Sequence, residues 1–313
     1  MKYKVAIKGI GSYLPSKVVS NLDLEKVIDT TDEWIFAKLG IKERRVVESE
    51  TVADMGYEAA LQALEDARVS KEDLDMIIVA TSSPSQISPS TACTIHQRLQ
   101  IERNVPAFDV NAVCSGFVYA VSLAGSLIHS GACKNILVIA TEAYSNNTNW
   151  EDQHCVFFGD GAGAVVLSSS EKGWMYSELQ ANGRGTGMTG FRQPLDAPFI
   201  MKGKEVWNQA ISVLPESITE VLKNTDTSLE EIKMLVPHQP SINILKIIAQ
   251  EVGLPMAKVK TVMDRYANLA GASIPIALHE AIEEGSVVSG DKILLTAIGS
   301  GWTWGTILVK YQK

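Results

Sequence analysis

Cys114, His238 and Asn268 are the residues of this chain whose type and setting suit chemistry. Cys114 lies in Phe108-Asp109-Val110-Asn111-Ala112-Val113-Cys114-Ser115-Gly116-Phe117, where a short strand turns sharply into an apolar helix. A thiol at a helix N-terminus faces the positive end of the macrodipole and N–H groups without intrahelical partners, which favour thiolate and can hold an oxyanion. The setting predicts a nucleophile with a lowered pKa. A buried structural cysteine is the commoner fate of this residue type, and it is the reading preferred for Cys93, Cys133 and Cys155.

His238 sits in Leu235-Val236-Pro237-His238-Gln239-Pro240, directly after an apolar strand and before a helix expected to start near Ser241. A neutral imidazole there can donate Nε2–H to a developing oxyanion or relay a proton; a hydrogen-bonded core histidine is the alternative. His96, His129, His154 and His279 lack that setting and are read as surface or packing residues. Asn268, in Asp264-Arg265-Tyr266-Ala267-Asn268-Leu269-Ala270-Gly271, suits a helix N-cap, and its carboxamide can equally donate to a thioester carbonyl.

The elements that must position these residues repeat. Apolar runs at Met76–Ala80, Ile136–Ala140, Ala164–Leu167, Ile293–Leu295 and Thr306–Val309 alternate with helical segments, the pattern of strands covered on both faces in an α/β protein. Val69 to Ile78 is echoed by Thr227 to Val236, and the segment from Cys114 to Gly131 by that from Asn268 to Gly285. A duplication predicts two halves, 1–172 with the nucleophile and 173–313 with His238 and Asn268. If a pseudo-two-fold axis relates them, Cys114 and Asn268 face each other across the junction, and His238 joins them at the carboxyl end of its strand, where α/β proteins bind ligands.

Bulk properties narrow the function. With 313 residues, 46% hydrophobic and 20% charged, the chain can bury a full core. A net charge of −8 repels nucleic acid and anionic lipid, and no basic stretch offsets it. No Cys or His spacing suggests a structural metal. The first residues lack the apolar core of a signal peptide, and no run approaches a membrane span, so a soluble intracellular protein is expected. Phe158 to Gly163 and Ile298 to Gly305 look superficially like phosphate loops. Both lead into strands and lack the P-loop lysine, so close backbone approach is the better reading.

Together, Thr31-Asp32-Glu33-Trp34-Ile35 with Gly40 to Arg45, the Cys114 segment, Phe158 to Gly163, Pro237-His238-Gln239, Asp264 to Asn268 and Thr303-Trp304-Gly305 resemble the β-ketoacyl-acyl-carrier-protein synthase III family, in order from about Tyr3 to Tyr311. The resemblance implies a duplicated, five-layered α-β-α-β-α thiolase fold, a cytoplasmic homodimer and ping-pong chemistry. Cys114 would take an acyl group from a coenzyme A or carrier-protein thioester, with no tightly bound cofactor. Malonyl-carrier protein would then lose carbon dioxide and attack the acyl-enzyme. His238 and Asn268 would stabilise the enolate oxygen, and the N–H groups of Cys114 and Ser300 the other oxyanion. Trp34, Lys38, Trp207, Ser241 and Ile298 would contact the pantetheine or nucleotide arm, and Lys204 and Lys246 would dock the acidic carrier.

Several positions depart from the family pattern. Ser300 stands where the family often has Gly, Ile298 where it has Phe, and Pro240-Ser241 where Ala-Asn is usual. Glu151-Asp152-Gln153 lacks the second Arg of the adenine stack, and Asn208 and Asn243 replace basic residues near the mouth. Ser88 takes the place of a Phe that limits the partner subunit's acyl pocket, which predicts a longer or bulkier primer than acetyl. The chain is also short between Gly183 and Lys202, which would open the entrance. Competing readings are an acyltransferase that moves the group to an amine or hydroxyl without decarboxylation, a silent partner subunit, and a cysteine hydrolase.

Overall fold

Burial follows the apolar runs closely. The structure, a computed structural model, describes residues 2–190 and 199–313. In the first half β1 spans Val5–Tyr13, β2 Met76–Ala80, β3 Ala107–Val110, β4 Asn135–Ala143 and β5 Asp160–Ser169. They form one sheet in the order β1-β5-β4-β2-β3, with β2, β3 and β4 parallel and β5 antiparallel to β1 and β4. In the second half β6 spans Trp174–Ala181, β7 Ile232–Pro237, β8 Lys292–Gly299 and β9 Thr303–Lys310, in the order β7-β8-β9-β6. Nearly unbroken burial along β4, β5 and β8 marks strands covered on both faces.

The helices sort into layers by how much of their circumference is apolar. Helix α1 is Asp32–Leu39, α2 Val52–Ala67, α3 Thr91–Leu99, α4 Gly116–His129, α5 Gly203–Thr225, α6 Ile242–Val252 and α7 Ser273–Glu283. The core side of α5 is one stripe, Ala210, Leu214, Ser217, Ile218, Val221 and Thr225, as expected of an outer helix. By contrast α4 carries no Asp, Glu, Lys or Arg, and Phe117, Val118, Ala120, Val121 and Ala124 are wholly buried. Such a helix belongs in the interior. It packs on β2, β4 and β5 of one sheet and on β8 and β9 of the other, while α7 touches β1, β5 and β7. With α2 and α3 outside the first sheet and α5 and α6 outside the second, the result is the five-layered α-β-α-β-α thiolase arrangement.

Both sequence echoes coincide with matched backbone. Arg68 and Asp226 end α2 and α5 in the left-handed region, at φ 53° and 50°, and each is followed by a single 3₁₀ turn leading to a parallel strand. Gly131 and Gly285 follow α4 and α7 at φ 78° and 71°. The α-helices themselves begin later than expected. Cys114 sits in the 3₁₀ turn Val113–Ser115 ahead of α4, and Asn268 precedes the 3₁₀ turn Ala270–Ala272 ahead of α7. Val113, Ala267 and Ala270 have φ of 51°, 58° and 44°, conformations costly for residues with a Cβ. No apolar pattern announces that strain.

Candidate active site

Cys114, His238, Asn268 and Ser300 line a single pocket of about 630 Å³. They reach it from the turn after β3, the end of β7, the approach to α7 and the turn between β8 and β9. Lys38, Trp207, Ser241 and Ile298 also line it. Trp34 does not, although it lies one helical turn from Lys38 and is half exposed. Ser88, Lys204 and Lys246 are exposed and outside the lining. Of the two asparagines in basic positions, Asn243 has a structural use: its carboxamide donates to the carbonyls of Ala37 and Lys38 and fastens α6 to α1. The short stretch between Gly183 and Lys202 is only partly visible, since residues 191–198 lie outside those described.

The backbone of Ala270 organises both candidate donors. Its N–H donates to the Asn268 Oδ1 at 2.8 Å, which commits the carboxamide oxygen and leaves the NH₂ group to donate. Asn268 is therefore not the N-cap of α7; its side chain closes a turn onto the residue two ahead. The Ala270 carbonyl accepts from the Ser273 hydroxyl at 2.7 Å, and the same Ser273 Oγ lies 3.2 Å from His238 Nδ1. Asn268 is fixed at its backbone too, donating to the Phe157 carbonyl and accepting from the Gly159 N–H. Gly159 permits that approach, because a Cβ there would stand 2.4 Å from the Tyr266 carbonyl oxygen. Burial depresses the His238 pKa to about 4, so the ring is neutral.

Cys114 differs from its expected state. Burial, then the nearby Glu142 carboxylate, push the thiol up to about 12, and its own backbone N–H offsets this only partly. At rest the group is a thiol, because desolvation outweighs the weak field of one short 3₁₀ turn. Tyr144 and Phe158, both buried, form with Ala270 the apolar cluster against which Cys114 packs. Glu142 went unnoticed in the sequence, although a carboxylate closing the apolar run Ile136 to Ala140 was a usable signal. It is fully buried, accepts from the Ser82 N–H, the Ser82 hydroxyl and the Ser83 hydroxyl, and is itself raised to about 7, chiefly by burial. A Glu142→Gln variant is expected to alkylate faster at Cys114 at fixed pH, by about tenfold for each unit the thiol pKa falls. An unchanged pH profile of iodoacetamide labelling would show that the sulfur does not feel this charge.

The turn that carries Cys114 is gripped by the turn between β8 and β9. A Cβ on Gly299 would meet the Ala112 carbonyl oxygen at 2.5 Å and the Ser115 nitrogen at 3.1 Å. Ser115 Oγ is 2.8 Å from Thr303 Oγ1, and Thr303 also donates to the Ala112 carbonyl. Gly299 thus serves close packing, whereas a Cβ on Gly301 would meet nothing nearer than 3.8 Å, and that glycine is required by its φ of 137°. The Ser300 hydroxyl donates to the Thr189 carbonyl, which ties this turn to the short ribbon of Thr189–Gly190 and Ile200–Met201 at the pocket wall. Among the other cysteines Cys155 is buried as expected and Cys133 partly so, whereas Cys93 is exposed on α3.

Residues 108–183 match the family 3-oxoacyl-[acyl-carrier-protein] synthase III, and residues 222–311 match its C-terminal region. Over 97% of this chain and 99% of the relative, the sequence is 44% identical to the β-ketoacyl-[acyl-carrier-protein] synthase III of Aquifex aeolicus. The chain belongs to the 3-oxoacyl-[acyl-carrier-protein] synthase III family. A second synthase III, from Vibrio parahaemolyticus, is 43% identical over 97% of this chain and 99% of its own. The crystal structure of the Aquifex aeolicus synthase III superposes with a TM-score of 0.95 at 44% identity, covering 98% of this chain and all of that one. The priming β-ketosynthase of the R1128 polyketide pathway superposes with a TM-score of 0.92 at 29% identity, over 99% and 97% of the two chains. No helix among the described residues is long and apolar enough to cross a membrane.

Proposed function

We propose that the protein loads an acyl group onto Cys114 and condenses it with a malonyl thioester of acyl carrier protein, releasing carbon dioxide and a 3-oxoacyl product. The observation that carries this reading is the meeting of one thiol and two neutral donors in a pocket whose wall includes Phe157, Phe158, Trp207 and Ile298. The thiol attacks the carbonyl of the acyl donor, coenzyme A-linked or carrier-linked, and the N–H groups of Cys114 and Ser300 receive the oxyanion. Its proton passes to the neutral His238 and on to the departing thiol. In the second half, loss of carbon dioxide from the malonyl thioester leaves an enolate. Its oxygen takes hydrogen bonds from the Asn268 NH₂ and the His238 ring, and its carbon attacks the acyl-enzyme. The Cys114 thiolate so expelled takes a proton from solvent, the one proton that the overall reaction consumes. Neutral donors fit because in this half-reaction the new negative charge develops at the enolate oxygen.

Acyl and malonyl thioesters are substrates here, and no resident cofactor enters the chemistry. Lys38 at the wall and Trp34 one turn away fit contact with the donor's arm. Lys204 and Lys246 offer an acidic carrier two cations on the otherwise acidic chain. The two-half organisation, 1–172 and 173–313, and a homodimer belong to the same reading. The exposed loop after β2 supports the dimer: Ile87 is 95% exposed, and a second copy would cover it. Ser88 beside it would then leave room in the partner's acyl site. Loading of the purified enzyme with an acyl chain-length series is expected to reach beyond acetyl; acetyl alone in the intact-mass spectrum would refute that. The reaction itself is tested by incubation with acyl thioesters and malonyl-carrier protein, with product mass and carbon dioxide measured together. Acyl transfer without carbon dioxide would overturn condensation.

A further inference from the structure

Tyr144 stands where an acyl group on Cys114 has to pass. It directly follows β4, as Asn111 follows β3, and Ser82 lies two residues beyond β2. All three therefore leave the carboxyl ends of neighbouring parallel strands, and they line the pocket beside Cys114. Lys38, Trp207 and Ser241 line it instead from α1, α5 and the start of α6. With the thioester oxygen at the N–H groups of Cys114 and Ser300 and the donor's arm among the helices, the carbon chain is left with the side of the strand ends. There the sulfur packs against the cluster of Tyr144, Phe158 and Ala270. The second and third carbons of a thioester lie close enough to its sulfur to meet the same wall.

That wall is held from several sides. Tyr144 is buried, its ring meets Phe158 edge to face at 4.9 Å and 83°, and Phe158 meets Phe199 in the same manner at 5.2 Å. The phenol oxygen lies 2.6 Å from the Ser82 hydroxyl. Ser82 is itself fastened to Glu142, to which its N–H donates at 3.1 Å and its hydroxyl at 2.9 Å, and the Ser83 hydroxyl donates to the same carboxylate at 2.5 Å. A ring fixed both by its packing and by its hydroxyl does not swing aside as an aliphatic side chain would, and forcing an extra methyl group against such packing is unfavourable. We infer that Tyr144 is a specificity-determining residue that sets the width of the acyl channel next to the sulfur, admitting straight acyl chains and turning away those branched at the second or third carbon. The inference rests on the loading of Cys114 described above. It is separate from the role of Ser88, which bears on how far a chain can extend.

Straight and branched acyl groups with equal numbers of carbons test it in the full-length enzyme. Butanoyl is set against 2-methylpropanoyl and pentanoyl against 3-methylbutanoyl, each offered on coenzyme A and on acyl carrier protein, and the rate at which the adduct appears is read by intact mass. The parent is expected to load the straight member of each pair about tenfold faster or more, the scale on which a packed apolar site rejects one misplaced methyl group. Tyr144→Leu opens space beside the sulfur, and its ratio is expected to fall to within about threefold, whereas Tyr144→Phe keeps the ring and is expected to hold the parental ratio within about twofold. Both members of a pair are measured on one preparation, so a loss of folded protein cancels from the ratio. Equal loading of straight and branched chains by the parent would overturn the proposal, as would an unchanged ratio in Tyr144→Leu. A ratio already lost in Tyr144→Phe would place the selection in the hydroxyl and overturn the role of the ring. The two levels fail separately: no adduct from any of the thioesters refutes the loading of Cys114 and the gate with it, while an adduct indifferent to branching refutes only the gate.

Discussion

An Asn268→Ala enzyme is expected to load acyl groups onto Cys114 almost normally and to lose condensation by about 10²–10³-fold, the usual effect of removing one oxyanion donor. The asymmetry follows from geometry. Asn268 spends its carboxamide oxygen on the Ala270 N–H, and nothing in the nucleophile turn depends on the group that remains. The NH₂ faces the pocket, where in the proposed cycle it meets the charge of the enolate, while the loading oxyanion is held by the N–H groups of Cys114 and Ser300. Removing it therefore raises the barrier of the second half-reaction alone. Asn268→Asp provides a sharper version, since a carboxylate at that point repels the enolate and loses its donor. Stopped-flow loading beside carbon dioxide release checks both; equal losses in the two steps would mean that Asn268 shapes the site without donating to the enolate.

Cys114→Ala is expected to abolish the covalent adduct and to reduce product formation by about 10⁴-fold or more, as for nucleophiles that work as part of a unit. Folding should survive, because Cys114 keeps some exposure to the pocket and the turn is held by Gly299, Ser115 and Thr303 rather than by the sulfur. Intact-mass spectra after incubation with acyl donors check the adduct. An acyl group on the variant would place the nucleophile elsewhere, and the exposed Cys93 would be the first thiol to suspect.

Much of this molecule was legible as a sequence because its order is periodic. Apolar runs gave the strands, and the wholly apolar stretch after Cys114 gave the central helix, since a helix without a polar face has nowhere to sit but between layers. The two echoes carried the duplication as far as matched left-handed caps at Arg68 and Asp226. Features outside any period were not legible. The left-handed residues Val113, Ala267 and Ala270 look like ordinary members of an apolar stretch, and they delay both helices by a turn. The direction of the Cys114 pKa was misread for a related reason. A dipole argument needs only local sequence, whereas desolvation and the Glu142 charge come from elements that meet in space.

The grip of Gly299 and Thr303 on the nucleophile turn also bears on how the protein is made. Gly299 and Thr303 follow Cys114 by 185 and 189 residues, and His238 and Asn268 are also far downstream of it. A nascent chain paused after its first sheet carries the thiol but neither donor nor the turn that closes on it. Contacts of such long sequence separation form late, so the proposed acyl chemistry must wait until the segment through Thr303 has been made and has folded back. A half-made chain on the ribosome is thereby spared from trapping thioesters that it could not pass on.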